Sequence, residues 1–110
     1  MTTQPGKMLR VHVLESDRWE GQPLYAAIVA KCRELGIAGA TVFRGLEGFG
    51  ETAELHRAHL VGRDQPIVIV IVDSEENVGR VAPAIENMMG TGVLATSQVE
   101  IVRVESARRE

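Results

Sequence analysis

The sequence predicts an α+β fold, a four-stranded antiparallel sheet with two helices on one face, in the βαββαβ order of a ferredoxin-like sandwich. Two observations support it. Four segments are rich in branched apolar residues, and the two longer segments between them carry apolar residues at helical spacing. The 110 residues, 45% of them hydrophobic, are enough for one such domain.

The first half of the chain shows a clear change of apolar spacing. Leu9, Val11 and Val13 alternate with Arg10 and His12, which predicts a strand over Met8–Glu15. The segment Leu24–Leu35 has apolar residues three and four apart, and Gly36 suits the position just after a helix. The β-branched and aromatic residues of Ala40–Arg44 predict the second strand.

The second half repeats this order. Pro66–Val72 predicts a strand, and Asp73 or Ser74 can cap the helix that follows. Pro83 lies inside this helix and is expected to kink it or to shift its start. The helix should end at Gly90-Thr91-Gly92. Its apolar stripe consists of Val78, Val81, Ala82, Ile85, Met88 and Met89.

The domain boundaries follow from these elements. Residues 1–7 are expected to form a flexible N-terminal tail, and residues 105–110 a charged C-terminal tail. Residues 8–104 then form the folded domain, whose last strand is predicted over Gln98–Val104.

Composition excludes several classes of function. The net charge is −3, so the chain lacks the basic surface that binds nucleic acid or anionic membranes. No apolar run approaches the roughly 20 residues that span a membrane. Cys32 is the single cysteine, which fits a reducing, cytoplasmic setting.

The third predicted strand is apolar at every position from Ile67 to Val72. A sheet covered on one side should instead alternate apolar and polar residues. The second face is therefore expected to be buried against other copies of the chain. The alternative is that the long loop before this strand folds back over it.

The second strand runs into a glycine-rich turn. Gly45, Gly48 and Gly50 can leave backbone N–H groups open to an anion, or they can serve only the shape of a bulge and a tight turn. Arg44 and Glu47 flank these glycines. They can bind a phosphate or a sugar hydroxyl, or form a solvated salt bridge.

These segments resemble the PII-like superfamily of trimeric signalling proteins. Gly39–Val42 followed by Gly48–Gly50 resembles the strand that enters the PII T-loop. Glu54–Arg57 resembles the return from that loop, and Gly90–Gly92 resembles the B-loop region. The resemblance is stronger to an uncharacterised stand-alone branch of the superfamily. The segments that carry it are Asp17–Trp19, Pro23–Tyr25 and Arg44–Gly50.

The resemblance implies a regulatory homotrimer with ligand clefts between its subunits. Those clefts hold adenine nucleotides in PII proteins, and the T-loop, residues 51–62 here, reports the bound state to a partner such as a transporter or enzyme. The candidate ligand-binding residues are Thr41, Arg44, Gly45, Glu47, Gly48, Phe49, Gly50, Gly90, Thr91 and Gly92.

The chain also departs from the PII pattern. Val93–Ser97 has no counterpart of the second glycine-rich stretch, or of the lysine that grips phosphates after it, and the loop lacks the tyrosine that is covalently modified. A nucleoside monophosphate, a different small anion or no nucleotide at all remain open as ligands.

Two other hypotheses remain. His12, His56 and His59 could serve a metal-binding trimer like the CutA proteins, since two histidines three residues apart share one face of a helix. The chain could also be an accessory or scaffold subunit of a transporter that binds no ligand. No catalytic motif is present in the sequence, so an enzyme is not expected.

Overall fold

The computed structural model describes residues 2–46 and 64–105. Its elements, in order, are β1 (Gln4–Leu14), β2 (Arg18–Trp19), β3 (Gln22–Pro23), α1 (Leu24–Glu34), β4 (Ala40–Arg44), β5 (Pro66–Asp73), α2 (Glu75–Met88) and β6 (Val93–Ile101). Over these residues the main sheet has the order β4-β5-β1-β6 with every neighbouring pair antiparallel. This topology confirms the predicted ferredoxin-like fold.

The core lies between the two helices and one face of the sheet. The two central strands supply alternate residues to it, and each helix supplies one stripe, because side chains alternate across a strand and repeat every three or four residues along a helix. The fully buried aliphatic residues of this core include Leu9, Val11, Ile67, Ile69, Ile71, Leu24, Ile28, Val78, Val81 and Ile85.

Helix α1 ends as the sequence predicts. Gly36 adopts a φ of +79°, a conformation that costs glycine little because it has no Cβ. The N–H of Gly36 donates to the carbonyl of Arg33 at 3.2 Å, and the N–H of Ile37 donates to that of Cys32 at 3.0 Å. These two bonds form a Schellman motif, which satisfies carbonyls left free at the helix end.

Helix α2 begins at a serine cap. The hydroxyl of Ser74 accepts a hydrogen bond from the N–H of Asn77 at 3.1 Å. Because the helix begins at Glu75 and continues to Met88, Pro83 lies inside it and does not shift its start. At 11 and 14 residues, neither described helix is long and apolar enough to cross a membrane.

Asp73 has a different role from the capping one considered above. Its side chain is only 6% exposed, and both oxygens are hydrogen-bonded. One accepts from the N–H of Ala38 at 2.9 Å, and the other from the N–H of Ser74 at 2.7 Å and the amide of Asn77 at 3.0 Å. The carboxylate thus ties the turn before β4 to the start of α2.

The hydrogen bonds also govern the ionisation of Asp73. Burial by itself raises the pKa of the carboxyl group. The bonds from Ala38, Ser74 and Asn77, together with the charge of Arg103, outweigh burial and lower the pKa below its ordinary value. The folded state therefore favours the ionised form.

Two strand boundaries in the sequence prediction are wrong. β1 begins at Gln4 rather than Met8, and Gln4–Lys7, expected in a flexible tail, pair with Gln98–Ile101. β6 spans Val93–Ile101 rather than Gln98–Val104. The pairing of β6 with β1 along its whole length accounts for both differences. Gly6 favours this pairing, because a Cβ there would collide with the side chain of Ile101.

The short ribbon of β2 and β3 was also not predicted from the sequence. Arg18 and Trp19 pair with Pro23 and Gln22 through a two-residue turn. Both turn residues have positive φ, +49° at Glu20 and +85° at Gly21, as a type I′ turn requires. The ribbon packs Trp19 against the edge of the core.

Replacing the buried carboxylate tests its structural role. We expect Asp73→Asn to lower the free energy of unfolding by about 2 kcal/mol, because an amide cannot accept all three hydrogen bonds. Urea denaturation at pH 7 measures this change. Glu100→Gln, at an exposed position of β6, is the control and should unfold like the unmodified chain.

The same pair of variants has a predicted pH dependence. Because the pKa of Asp73 is lowered on folding, its stabilisation is complete above its ordinary pKa of 3.8 and is lost as the pH falls through the lower, folded-state value. Asp73→Asn should lack this part of the acid destabilisation. If the free energy of unfolding of Asp73→Asn fell at acid pH as steeply as that of the unmodified chain, this role of Asp73 would be contradicted.

Candidate functional site

Five of the six described candidate residues fall into two groups at the same end of the sheet. Phe43 pairs with Val68, Val68 with His12, and His12 with Val93, so these four residues form one row across all four strands. Arg44 and Gly45 continue beyond this row on the β4 edge, and Gly90–Gly92 precede it on the β6 edge. Three strand spacings of about 4.8 Å separate the two edges by about 14 Å.

The first group, which we call the loop base, consists of Arg44 and Gly45 with their partners. The N–H of Gly45 donates to the carbonyl of Pro66 at 2.7 Å. A Cβ at this position would lie 2.9 Å from the Pro66 ring, so glycine permits the close approach. The guanidinium of Arg44 forms a salt bridge with Glu15 at 2.7 Å.

The turn after β1 holds the other side of the loop base. Both the N–H and the hydroxyl of Ser16 donate to the carboxylate of Asp64, at 3.0 and 2.7 Å. The N–H of Glu15 donates to the carbonyl of Gln65 at 2.9 Å. Residues 15–16 therefore contact the chain on both sides of the segment 47–63.

Sequence reasoning missed Glu15, Ser16 and Asp64. Ser16 and Asp64 are 48 positions apart, and neither lies in a motif that indicates the other. The only local signal is the cluster of polar residues directly after a strand. The carboxylate of Asp17 is part of that cluster, but it accepts the N–H of Leu14 at 2.9 Å and stabilises the turn itself.

The electrostatics of the loop base favour at most one anionic group. Arg44 is its only described cation, whereas Glu15 and Asp64 supply two carboxylates. The Arg44 side chain remains 53% exposed, and a guanidinium carries five N–H donors, so donors remain for a second acceptor beside Glu15. A bound anion would share Arg44 with Glu15.

The second group lies between α2 and β6. Gly92 adopts a φ of +148°, and a Cβ there would collide with the methyl group of Met89 and lie 2.7 Å from the carbonyl oxygen of His12. This glycine therefore lets the chain pass close to β1. An open pocket of about 500 Å³ adjoins it. Its lining is Glu86, Met89, Gly90, Thr91, Gly92 and Leu94.

The structure places six of the ten predicted ligand-binding residues. Thr41 lies on the β4 edge strand opposite Val70, on the face away from the helices. Within one chain, it and the loop base do not meet Gly90–Gly92. The predicted loop 51–62 lies outside the described part of the chain. So do the remaining four predicted residues, which are Glu47, Gly48, Phe49 and Gly50.

The face away from the helices is apolar, as the sequence of β5 indicates. Ile67, Ile69 and Ile71 are buried under the helices, and the intervening valines point to the other face. Large apolar side chains stay exposed there, with Phe43 at 53% and Val93 at 42%. We call this surface the open face.

The metal hypothesis gains no support from the described residues. Within 2–46 and 64–105, no group of three or more His, Cys, Asp and Glu side chains is placed to hold a metal ion. His12 lies on the open face, where burial and the charge of Arg10 lower the pKa of its imidazole. His56 and His59 lie outside the described residues.

Comparison with known proteins assigns the chain to a family. Residues 6–101 match the model of the DUF190 family, described as an uncharacterized ACR. A UPF0166 protein of Aquifex aeolicus is 33% identical over 87% of this chain and 92% of its own length. A UPF0166 protein of Methanocaldococcus jannaschii is 32% identical over 91% of this chain and 94% of its own length. The chain belongs to the DUF190 family, and its fold is that of PII-like proteins.

The chain is similar in fold to several solved structures. A PII-like signaling protein of Thermus thermophilus superposes with a TM-score of 0.65, at 17% identity over 93% of this chain and 94% of its own. CPII of Thiomonas intermedia, solved with ADP, AMP and acetate, gives a TM-score of 0.62 at 20% identity over 94% of both chains. At these identities the comparison establishes the shared fold.

The backbone at Gly92 can be tested with a matched pair of variants. We expect Gly92→Ala to lower the free energy of unfolding by about 1–3 kcal/mol, because the added Cβ meets a main-chain oxygen and the φ disfavours L-residues. Gly90→Ala, where a Cβ meets nothing within 4 Å, is the control. Thermal unfolding of the two variants is the measurement. Equal stability would show that the close approach at Gly92 is not required.

Proposed function

We propose that this protein is a cytoplasmic, PII-like regulatory protein that binds an adenine nucleotide in the clefts between subunits of a homotrimer. Bound ligand alters the segment 51–62, and through it the affinity for a partner protein such as a transporter or enzyme. The protein acts by binding rather than by catalysis.

The observation that carries this proposal is the position of the two glycine-bearing groups. They lie at one end of the sheet but on opposite edges, too far apart for both to surround the same small ligand in one chain. A closed ring of copies places the β4 edge of one subunit beside the β6 edge of the next. The loop base and Gly90–Gly92 then line one cleft.

The open face supports the same assembly. The valines of β5 and Phe43 of β4 form a contiguous apolar patch beside Arg10, and soluble proteins rarely leave such a patch in water. Packing this face against other copies buries it and sets the edges of neighbouring sheets side by side. The fold shared with CPII, which was solved with ADP and AMP, is consistent with a nucleotide in the cleft.

The chemistry of the two groups favours a nucleotide with few phosphates. Met89 and Leu94 give the pocket beside α2 an apolar side for a flat base, and the carboxylate of Glu86 can accept from an exocyclic amine. Arg44 can bind one phosphate group. Because Glu15 shares Arg44 and no lysine follows Gly92, we expect AMP to bind at least as tightly as ATP.

The loop base supports a signalling role for residues 51–62. The described chain is anchored on both sides of the segment 47–63, through Arg44 and Gly45 before it and through Asp64 and Gln65 after it. A ligand that takes Arg44 away from Glu15 alters one anchor directly. Ligand binding can thereby affect the segment 51–62 without a change in the sheet.

Titration calorimetry of the assembled protein with AMP, ADP and ATP tests the proposal. We expect at least one of these nucleotides to bind with a Kd well below 1 mM, and Arg44→Gln to weaken its binding about tenfold through loss of one charged hydrogen bond. Arg33→Gln, at an exposed position in the last turn of α1, is the control and should bind like the unmodified chain.

Two outcomes would contradict this assignment. The first is the absence of binding by all three nucleotides up to about 1 mM. The second is equal loss of affinity in Arg44→Gln and Arg33→Gln, which would show a general charge effect rather than a contact at the loop base.

A further inference from the structure

The open face carries an unbalanced charge. Strand register assigns to it the even-numbered residues of β1 and β5 and the odd-numbered residues of β4 and β6. Among these described residues only Arg10 and His12 can carry a charge, and that charge is positive in each case. The carboxylates of the described strands, such as Asp73 and Glu100, belong to the opposite face.

Arg10 lies near the middle of this face. Its neighbours across the sheet are Val70 on β5 and Ala95 on β6, and the next residue outward, on β4, is Thr41. None of these can neutralise a guanidinium. Arg10 is exposed in the single chain, so water solvates its charge there.

His12 adds little charge at neutral pH. It lies between Val68 on β5 and Val93 on β6, with Phe43 on β4 beyond Val68. None of these three neighbours in the row is an acid or a base. Burial, and then the charge of Arg10, lower the pKa of the imidazole. The fixed charge of the open face is therefore that of Arg10.

Covering this face with copies of the chain creates an electrostatic cost. Rotational symmetry carries the same residue of each copy into the same interface, so several guanidinium groups enter one apolar surface. Burying a charge without a counter-charge is strongly unfavourable. The described part of the face supplies no carboxylate to balance it.

We propose that assembly through the open face encloses a small tetrahedral oxyanion, of the phosphate or sulfate type, between the Arg10 side chains of neighbouring copies. The inference rests on the proposed homotrimer, and the site is incomplete in one chain. The planar guanidinium presents paired N–H donors that match the oxygens of such an anion. The low dielectric of the apolar surroundings strengthens these bonds.

Sedimentation equilibrium tests this site. The unmodified chain is compared in a chloride buffer without oxyanions and in the same buffer at equal ionic strength with inorganic phosphate. We expect phosphate to raise the self-association constant at least tenfold. Arg10→Met replaces the cation with an apolar chain of similar length, and this variant should associate equally with and without phosphate.

Two further variants separate this site from other effects. Arg33→Met, at the exposed end of α1, should respond to phosphate like the unmodified chain. Arg44→Gln should also keep the response, because phosphate in the proposed nucleotide cleft would act through Arg44 and not through Arg10. Circular dichroism of each variant verifies that it is folded.

The outcomes distinguish the two proposals. A trimer of equal stability with and without phosphate would overturn the oxyanion site and leave the proposed nucleotide cleft intact. An equal phosphate response in the unmodified chain and in Arg10→Met would also overturn it. A chain that stays monomeric in every buffer would overturn both.

Discussion

The sheet is apolar on both of its faces, but the two helices cover only one of them, and the rest of the structure depends on this difference. Helices α1 and α2 bury the face that contains Leu9, Val11 and Ile69, and no other element within residues 2–46 and 64–105 covers the valines of β5 on the other face. Burial of apolar surface is the main favourable term in folding and in association. The same strands that stabilise the chain therefore also carry the open face, through which we propose that it assembles.

This constraint also underlies the proposed position of the ligand cleft. A ferredoxin-like sheet places its second and fourth long strands at opposite edges, so Arg44 and Gly45 lie at the opposite edge of the described sheet from Gly90–Gly92. In the proposed ring, Gly92 and the pairing of Arg44 with Glu15 would form two sides of one cleft.

Most of the fold could be predicted from the sequence, because its signals are local. Alternation located β1, a continuous apolar run located β5, and the helical stripes, Gly36 and Ser74 fixed the two helices. The early start of β1 and the full length of β6 depend on their mutual pairing, which no local pattern records. The contacts of Asp73 with Ala38 and of Ser16 with Asp64 join distant segments, and so the candidate site could be predicted only through its glycines and Arg44.

The mass of the native particle tests the central claim most directly. Sedimentation velocity in phosphate buffer at micromolar concentration should give a single species of about 36 kDa, three times the 12.0 kDa chain. Such a result means that identical neighbours cover the open face and complete the clefts at its edges. A species of 12 kDa over the whole concentration range would contradict the account, because no shared cleft would then exist.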